Sequence, residues 1–444
     1  MGKYKELNCK ILSINKQRGI IDILAYISIL TSSFDILFNV KIYGFSFRFT
    51  QLCAIILFFA FLFKIIKTSK IMVPVYFKFL FIYGLLNAFF ILNSKYISNA
   101  IGYALWLILN ISQLFMYVNL FKNRNQVIQL LKIYFISFVI ISIIGIFQHI
   151  AMKTGVGTII LLNSKYDRIH GFSYEPSYYA TYLLPGWCAI LYYIEKKNFF
   201  LFSEKQLKIF FIIISLALIF SFSRMGMIIA FWYLMFRVAA IFGKMKNNNG
   251  TLKISTRNIT VFAGLCFVIF SVTVYIVFLY KYQYTHLKEM VSGLGILGTA
   301  GHSSATRMNS LEDTLNIFYK SPIIGCSLGD LDGRIANSLG IHYSGQTGLS
   351  MSIIAEQFAA TGIFGGVCFV IYILKIGVIY KRIKNNMRYG DMLKGICFGY
   401  IAQVILLNMN QNVLRQYFWI NLAIISVIYS CRNFFEKERE ALEI

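Results

Sequence analysis

The chain has 444 residues, of which 58% are hydrophobic, 17% aromatic and only 14% charged, whereas a water-soluble domain carries roughly a quarter charged residues. This composition excludes a water-soluble globular protein, and with it the nucleic-acid partner that a net charge of +25 would otherwise suggest; in a membrane protein, positive charge collects on the cytoplasmic side instead. The eight cysteines are scattered without a CxxC pair, which argues against a zinc site or a disulfide framework.

Apolar runs of about 20 residues, each able to cross a hydrocarbon core as a helix, recur along the whole chain. They predict spans near 20–40, 49–66, 73–93, 97–121, 127–150 and 176–194, then 206–221, 224–243, 259–280, 350–379, 392–409 and 413–431. The first run follows a basic segment and lacks a small-residue cleavage site, so it reads as a spanning helix rather than a signal peptide. The expected fold is an all-α integral membrane protein: one domain over 1–444, a polytopic bundle of about twelve transmembrane helices. A single large outer loop, 281–350, contains short helices. Most of the 43 Lys and Arg residues fall on one face of this alternation, which places both termini in the cytoplasm. All five histidines then lie on or near the outer side, where no nucleotide pool exists.

Two patterns carry little weight. Gly293–Gly298 matches GxGxxG, but it lies in an outer loop without the strand, helix and acidic residue that the dinucleotide fingerprint needs. Asp330-Leu331-Asp332 has DxD spacing but no nucleotide to hold, so it reads as a solvated loop or a helix cap.

Arg168-Ile169-His170-Gly171-Phe172-Ser173-Tyr174-Glu175-Pro176-Ser177 says more. Its plain reading is a helix start, with Pro176 in the first turn and Glu175 favourably placed for the helix dipole. Arg, His and Glu together at a membrane surface are nonetheless costly to keep for capping alone. Ser221-Phe222-Ser223-Arg224 separates two apolar runs with almost no loop, which puts Arg224 at the outer membrane boundary. That arginine either snorkels to headgroups or sits beside a broken helix facing a cavity. Ser303-Ser304-Ala305-Thr306-Arg307 leads into a helix, so Arg307 either binds an anion there or pairs with Glu312 or Asp313. Glu356 lies about two turns into the tenth span, where a buried carboxylate requires a partner. Pairing that only holds the fold and a catalytic role are equally compatible with it.

Taken together, these segments resemble the O-antigen polymerase and O-antigen ligase superfamily of bacterial membrane glycosyltransferases. The matching pieces are the Arg168–Ser177 motif, Ser-Phe-Ser-Arg at 221–224, Arg307 with Leu-Glu-Asp-Thr-Leu and Ser-Pro-Ile-Ile-Gly after it, and Ala-Glu-Gln…Gly-Ile-Phe-Gly at 355–365. The resemblance implies transfer of a glycan from undecaprenyl diphosphate to a hydroxyl without metal or other cofactor. Arg224, Arg307 and Arg168 would grip the diphosphate. His170, Tyr174, Ser223 and His302 would line the substrate, and Glu175, Glu356 or His342 would act as the base. Ligase-like members carry His-Asn just before the Glu-containing span; here that region reads Gly348-Leu349-Ser350-Met351-Ser352, which favours a polymerase and weakens His342. The expectation is therefore an O-antigen, capsule or exopolysaccharide repeat-unit polymerase in the bacterial inner membrane, working on its outer face. Expected partners are lipid-linked oligosaccharide, membrane lipid, a chain-length regulator and a flippase of the same pathway. The alternatives are a ligase and, from another class, a flippase of lipid-linked oligosaccharide, although a transporter would place its ionisable residues at the midplane of two related halves.

Overall fold

The computed structural model describes residues 19–37, 40–42, 45–68, 71–154, 168–245, 302–338, 340, 352–383, 388–409 and 413–432. Among them are thirteen α-helices: α1 (Ile20–Leu30), α2 (Phe49–Thr68), α3 (Phe77–Phe89), α4 (Ile97–Leu120), α5 (Arg124–Thr154), α6 (Pro176–Lys196) and α7 (Glu204–Phe220). They continue with α8 (Arg224–Met245), α9 (His302–Lys320), α10 (Leu328–Ser338), α11 (Ile353–Gly377), α12 (Arg388–Leu407) and α13 (Gln416–Ser430). Five of the described helices are long and apolar enough to cross a membrane, within α2, α4, α5, α11 and α12. The expected span 259–280 lies outside the described residues, as does Gly293–Gly298.

The first expected span is shorter than its apolar run. Helix α1 ends at Leu30, and the chain then turns through Asp35 into a hairpin, Val40–Ile42 paired antiparallel with Phe45–Phe47. The Asp35 and Ile36 amides donate to the Phe172 carbonyl at 2.9 and 3.0 Å, which ties this excursion to the segment before α6.

Helices α6 and α13 form the middle of the bundle. Nearly every residue of α6 up to Tyr193 is buried, and so is α13 from Gln416 to Ile428. Helix α12 lies along α6, where Gly399 meets the Pro185 backbone and Gly395 meets Tyr192 and Tyr193, so the small residues permit close approach. The outer helices instead expose Phe59, Phe63, Leu105, Trp232, Phe236 and Phe364. Such a girdle is costly in water and natural in lipid.

The chain turns gather at two ends. One is rich in cations: Lys64 donates to the Asn119 carbonyl, Cys431 to that of Phe121, Arg237 pairs with Glu195, and Tyr192 donates to Asp391. The other gathers the turns around Asp35, Tyr96, Phe172, Phe222, Ser327 and Val413, and it carries the motifs of interest.

At that second end, helix α11 is broken. Gly362 adopts φ +63°, ψ −174°, which frees carbonyl and amide groups in mid-helix. The turn 321–327 satisfies them: Ile363 N donates to the Pro322 carbonyl at 2.8 Å, Cys326 N to that of Ala359 at 3.2 Å, and Ser327 N to that of Ala360 at 2.9 Å. A Cβ on Gly362 would strike the Ile323 carbonyl, and one on Gly325 would strike that of Ala360. Gly362→Ala should therefore lower stability by about 1–3 kcal/mol through backbone strain alone, read as a fall in Tm of the detergent-solubilised protein. An unchanged Tm would refute this role for the break.

Candidate active site

The segment before α6 is held from behind by Gln148, which is fully buried on α5. Its Oε1 accepts from the amides of His170 and Gly171, both at 2.9 Å. Gly171 has φ +55°, and a Cβ there would strike the Tyr179 ring, so only glycine fits this turn comfortably. His170 is buried against the same glutamine, its Nε2 lying 3.4 Å from the Gln148 amide nitrogen. Burial pushes its imidazole below the ordinary histidine value, outweighing the opposing effect of a backbone hydrogen bond with Ser173, so the ring is neutral near pH 7. Packing of its own loop accounts for its position.

The structure brings two of the expected motifs together. Ile169 N donates to the Phe220 carbonyl, and Arg168 Nη1 donates to the Phe222 carbonyl, both at 3.4 Å. Phe222 takes a left-handed φ of +47° in the abrupt turn between α7 and α8, a conformation uncommon outside glycine. Ser221 Oγ donates to the Leu218 carbonyl at 2.6 Å, and Ser223 N donates to Ser221 Oγ at 3.3 Å, so the serines close the turn. Ser223 is buried, and Arg224 is the half-buried first residue of α8. The Arg168 guanidinium thus reaches the turn whose following helix starts at Arg224.

Glu175 is the N-cap of α6 with an extended backbone (φ −140°, ψ 153°), but its carboxylate does not cap the helix. The backbone carbonyl accepts from the Tyr178 and Tyr179 amides, while Oε2 accepts from Ser177 Oγ at 3.2 Å. The side chain is half-buried, beside an exposed Tyr174. Its carboxylate accepts one side-chain hydrogen bond and lies within electrostatic reach of Arg415.

Three charged residues not singled out in the sequence complete this end. Asp35 Oδ1 lies 2.9 Å from Arg48 Nη1 and 3.6 Å from Arg415 Nη1, so one carboxylate joins the end of α1 to the starts of α2 and α13. The Arg415 guanidinium stacks 3.9 Å over the Tyr178 ring, and that of Arg48 lies 5.6 Å over Tyr174. Both arginines therefore adjoin the Glu175 turn. Arg415 and Asp35 are buried, whereas Arg48 keeps 22% of its side chain exposed. Two of the three were hidden by the apolar runs expected at 20–40 and 413–431. A charge near the end of such a run, beside polar 408–412, was the available signal.

Glu356 sits in the first turn of α11 rather than two turns in, below a Ser352 N-cap that accepts from Ala355 N. Its hydrogen-bond partners are a backbone amide and a glutamine: Oε2 accepts from Val413 N at 2.8 Å and from Gln357 Nε2 at 2.9 Å. Buried and hydrogen-bonded, it fastens the start of α13 to the start of α11. The DxD pair is buried too, not solvated. Asp330 Oδ1 accepts from Lys95 N and Tyr96 N at 2.9 and 2.8 Å, which caps the start of α4, and Asp332 accepts from Tyr103 Oη at 3.0 Å. Arg307 and His302 fall on α9, which packs against α11; their side chains, and all of His342, lie outside the described residues.

Residues 209–370 match the family model described as O-antigen ligase, a stretch that contains Arg224, Arg307 and Glu356. This agrees with the resemblance to the O-antigen polymerase and ligase superfamily. No curated protein and no solved structure matches the chain.

Proposed function

We propose, from the O-antigen ligase match over residues 209–370, that this protein is a surface-polysaccharide polymerase. It moves a growing glycan from undecaprenyl diphosphate to a hydroxyl of another lipid-linked repeat unit. What supports this reading is that Arg168 donates to the Phe222 carbonyl in the turn leading to the Arg224 helix start, while the segment that begins at Arg168 ends at Glu175, the N-cap of α6. This end of the bundle is the cation-poor one, so the charge rule assigns it to the outer face.

In this reaction Glu175 takes the proton of the acceptor hydroxyl as its oxygen bonds to the anomeric carbon. The bond from that carbon to the phosphate oxygen breaks, and the electron pair leaves with the undecaprenyl diphosphate. The departing group gains charge, which guanidinium groups fixed in a water-poor site stabilise. Arg168, Arg224 and Arg307 fill that role. Glu175 is preferred to Glu356 as base because the Glu356 carboxylate is buried and already accepts two hydrogen bonds.

Arg224→Lys and Arg307→Lys keep the charge but lose the guanidinium fork, and each should slow transfer by about tenfold to a hundredfold. In cells, single repeat units should still reach the surface while long chains disappear from the length profile. Long chains of normal abundance would refute the polymerase. Loss of every surface sugar would favour the flippase. The family description supports one rival, a ligase, which predicts that long chains still form on the lipid carrier but are not attached to their final acceptor.

A further inference from the structure

The start of α13 holds polar groups that the described protein does not satisfy. Arg415 is 6% exposed and Gln416 is 4% exposed. Among the described residues, Arg415 Nε and Nη1 and both polar atoms of the Gln416 side chain have no hydrogen-bond partner. Asp35 gives Arg415 a charge at 3.6 Å, too long for a hydrogen bond, and Tyr178 gives it a ring face. A buried guanidinium and a buried amide left without hydrogen bonds are each costly to fold. Such groups persist where a ligand supplies the missing acceptor.

What would satisfy them is constrained by chemistry. Arg415 donates only, in a planar fork suited to phosphate. Gln416 adds a donor and an acceptor. Arg48, partly exposed and linked through the same Asp35, supplies a second positive charge. The cluster lies beside the Glu175 turn, since Arg415 stacks on Tyr178 of the same helix start.

We propose that Arg415 and Gln416, with Arg48 at the rim, form a phosphate-binding subsite that takes the diphosphate of the lipid-linked glycan. Asp35 positions both guanidiniums. The assignment to that diphosphate rests on the glycosyl-transfer reading; the presence of an oxyanion subsite does not.

The test uses the purified full chain in nanodiscs and measures binding without transfer. The probes are undecaprenyl diphosphate and inorganic pyrophosphate, and the readouts are affinity and the Tm of the ligand-free protein. Arg415→Gln should weaken both probes at least about tenfold, the usual order for a lost charge-assisted hydrogen bond. Because that variant also disturbs the Asp35 pair, Gln416→Leu is the decisive one. It replaces an unsatisfied amide with an apolar side chain of similar size, so it should weaken binding while leaving Tm equal or higher. Weakening of both probes identifies the phosphates as the recognised group. Weakening of the lipid probe alone, with pyrophosphate not bound by the wild type, shows that the subsite needs the lipid anchor. Unchanged affinity in both variants would overturn the proposal, as would a Gln416→Leu protein with lowered Tm and intact binding. A wild type that binds in this way yet makes no polymer would sink the polymerase and leave the subsite standing.

Discussion

Glu175→Gln should reduce polymer formation by about 10²–10⁴-fold, the usual contribution of a positioned general base, while the Tm of the purified protein stays near that of the wild type. The substitution keeps the size of the side chain and its contact with Ser177 Oγ, and the backbone cap of α6 does not involve the carboxylate. What is lost is proton acceptance, together with the negative charge near Arg415. The measurement is transfer of labelled glycan between lipid-linked units by protein in vesicles, run beside thermal unfolding. Activity within a factor of about three of the wild type, at matched protein levels, would remove Glu175 from the reaction. Glu356→Gln is the informative companion. Its carboxylate accepts Val413 N and Gln357 Nε2, so its change should register in Tm as well as in rate.

Asp35→Ala is expected to cost about 3–5 kcal/mol of stability, the scale for stripping the partner from a buried charge. Arg415 is buried and Asp35 is its carboxylate partner in the described structure. Removing Asp35 leaves two guanidiniums, Arg48 and Arg415, at the junction of α1, α2 and α13 without the anion between them. Chemical or thermal unfolding in one detergent reads the loss directly. Asp35→Ala combined with Arg415→Met should recover much of it, because an apolar side chain needs no counter-charge. A single Asp35→Ala protein as stable as the wild type would show that the junction does not depend on this pair.

Several features of the site were legible in the chain, each for a local reason. Pro176 after Glu175 marks the start of α6 because proline suits a first helical turn. The Ser-Phe-Ser-Arg interruption marks the turn between α7 and α8 because apolar periodicity stops there and resumes at once. Asp35, Arg48 and Arg415 were not legible in this way. They join no recognisable motif, Arg415 is far from the other two in the chain, and the apolar stretches around Asp35 and Arg415 outweigh a single charge. For Asp330-Leu331-Asp332, a solvated loop or a helix cap is the sequence expectation; Asp330 does serve the start of α4, but both carboxylates are buried rather than solvated. Their polarity is plain in sequence, but except for Arg334 on the same helix their partners are distant in the chain: Lys95 and Tyr96 in the turn before α4, and Tyr103 on α4.

By itself, the sequence determined that this is a membrane protein built of apolar helices, and where most of the described helices begin and end to within a few residues, the first excepted because it stops at Leu30. Both follow from hydropathy and caps, which act over a few residues at a time. Only the tertiary structure decided which charges meet. It set Asp35 between two arginines, turned Glu356 toward the Val413 amide, and closed the break at Gly362 with the 321–327 turn. The reason is that in a medium without water a buried polar group must find its partner inside the protein, and that partner is chosen by packing between helices distant in the chain.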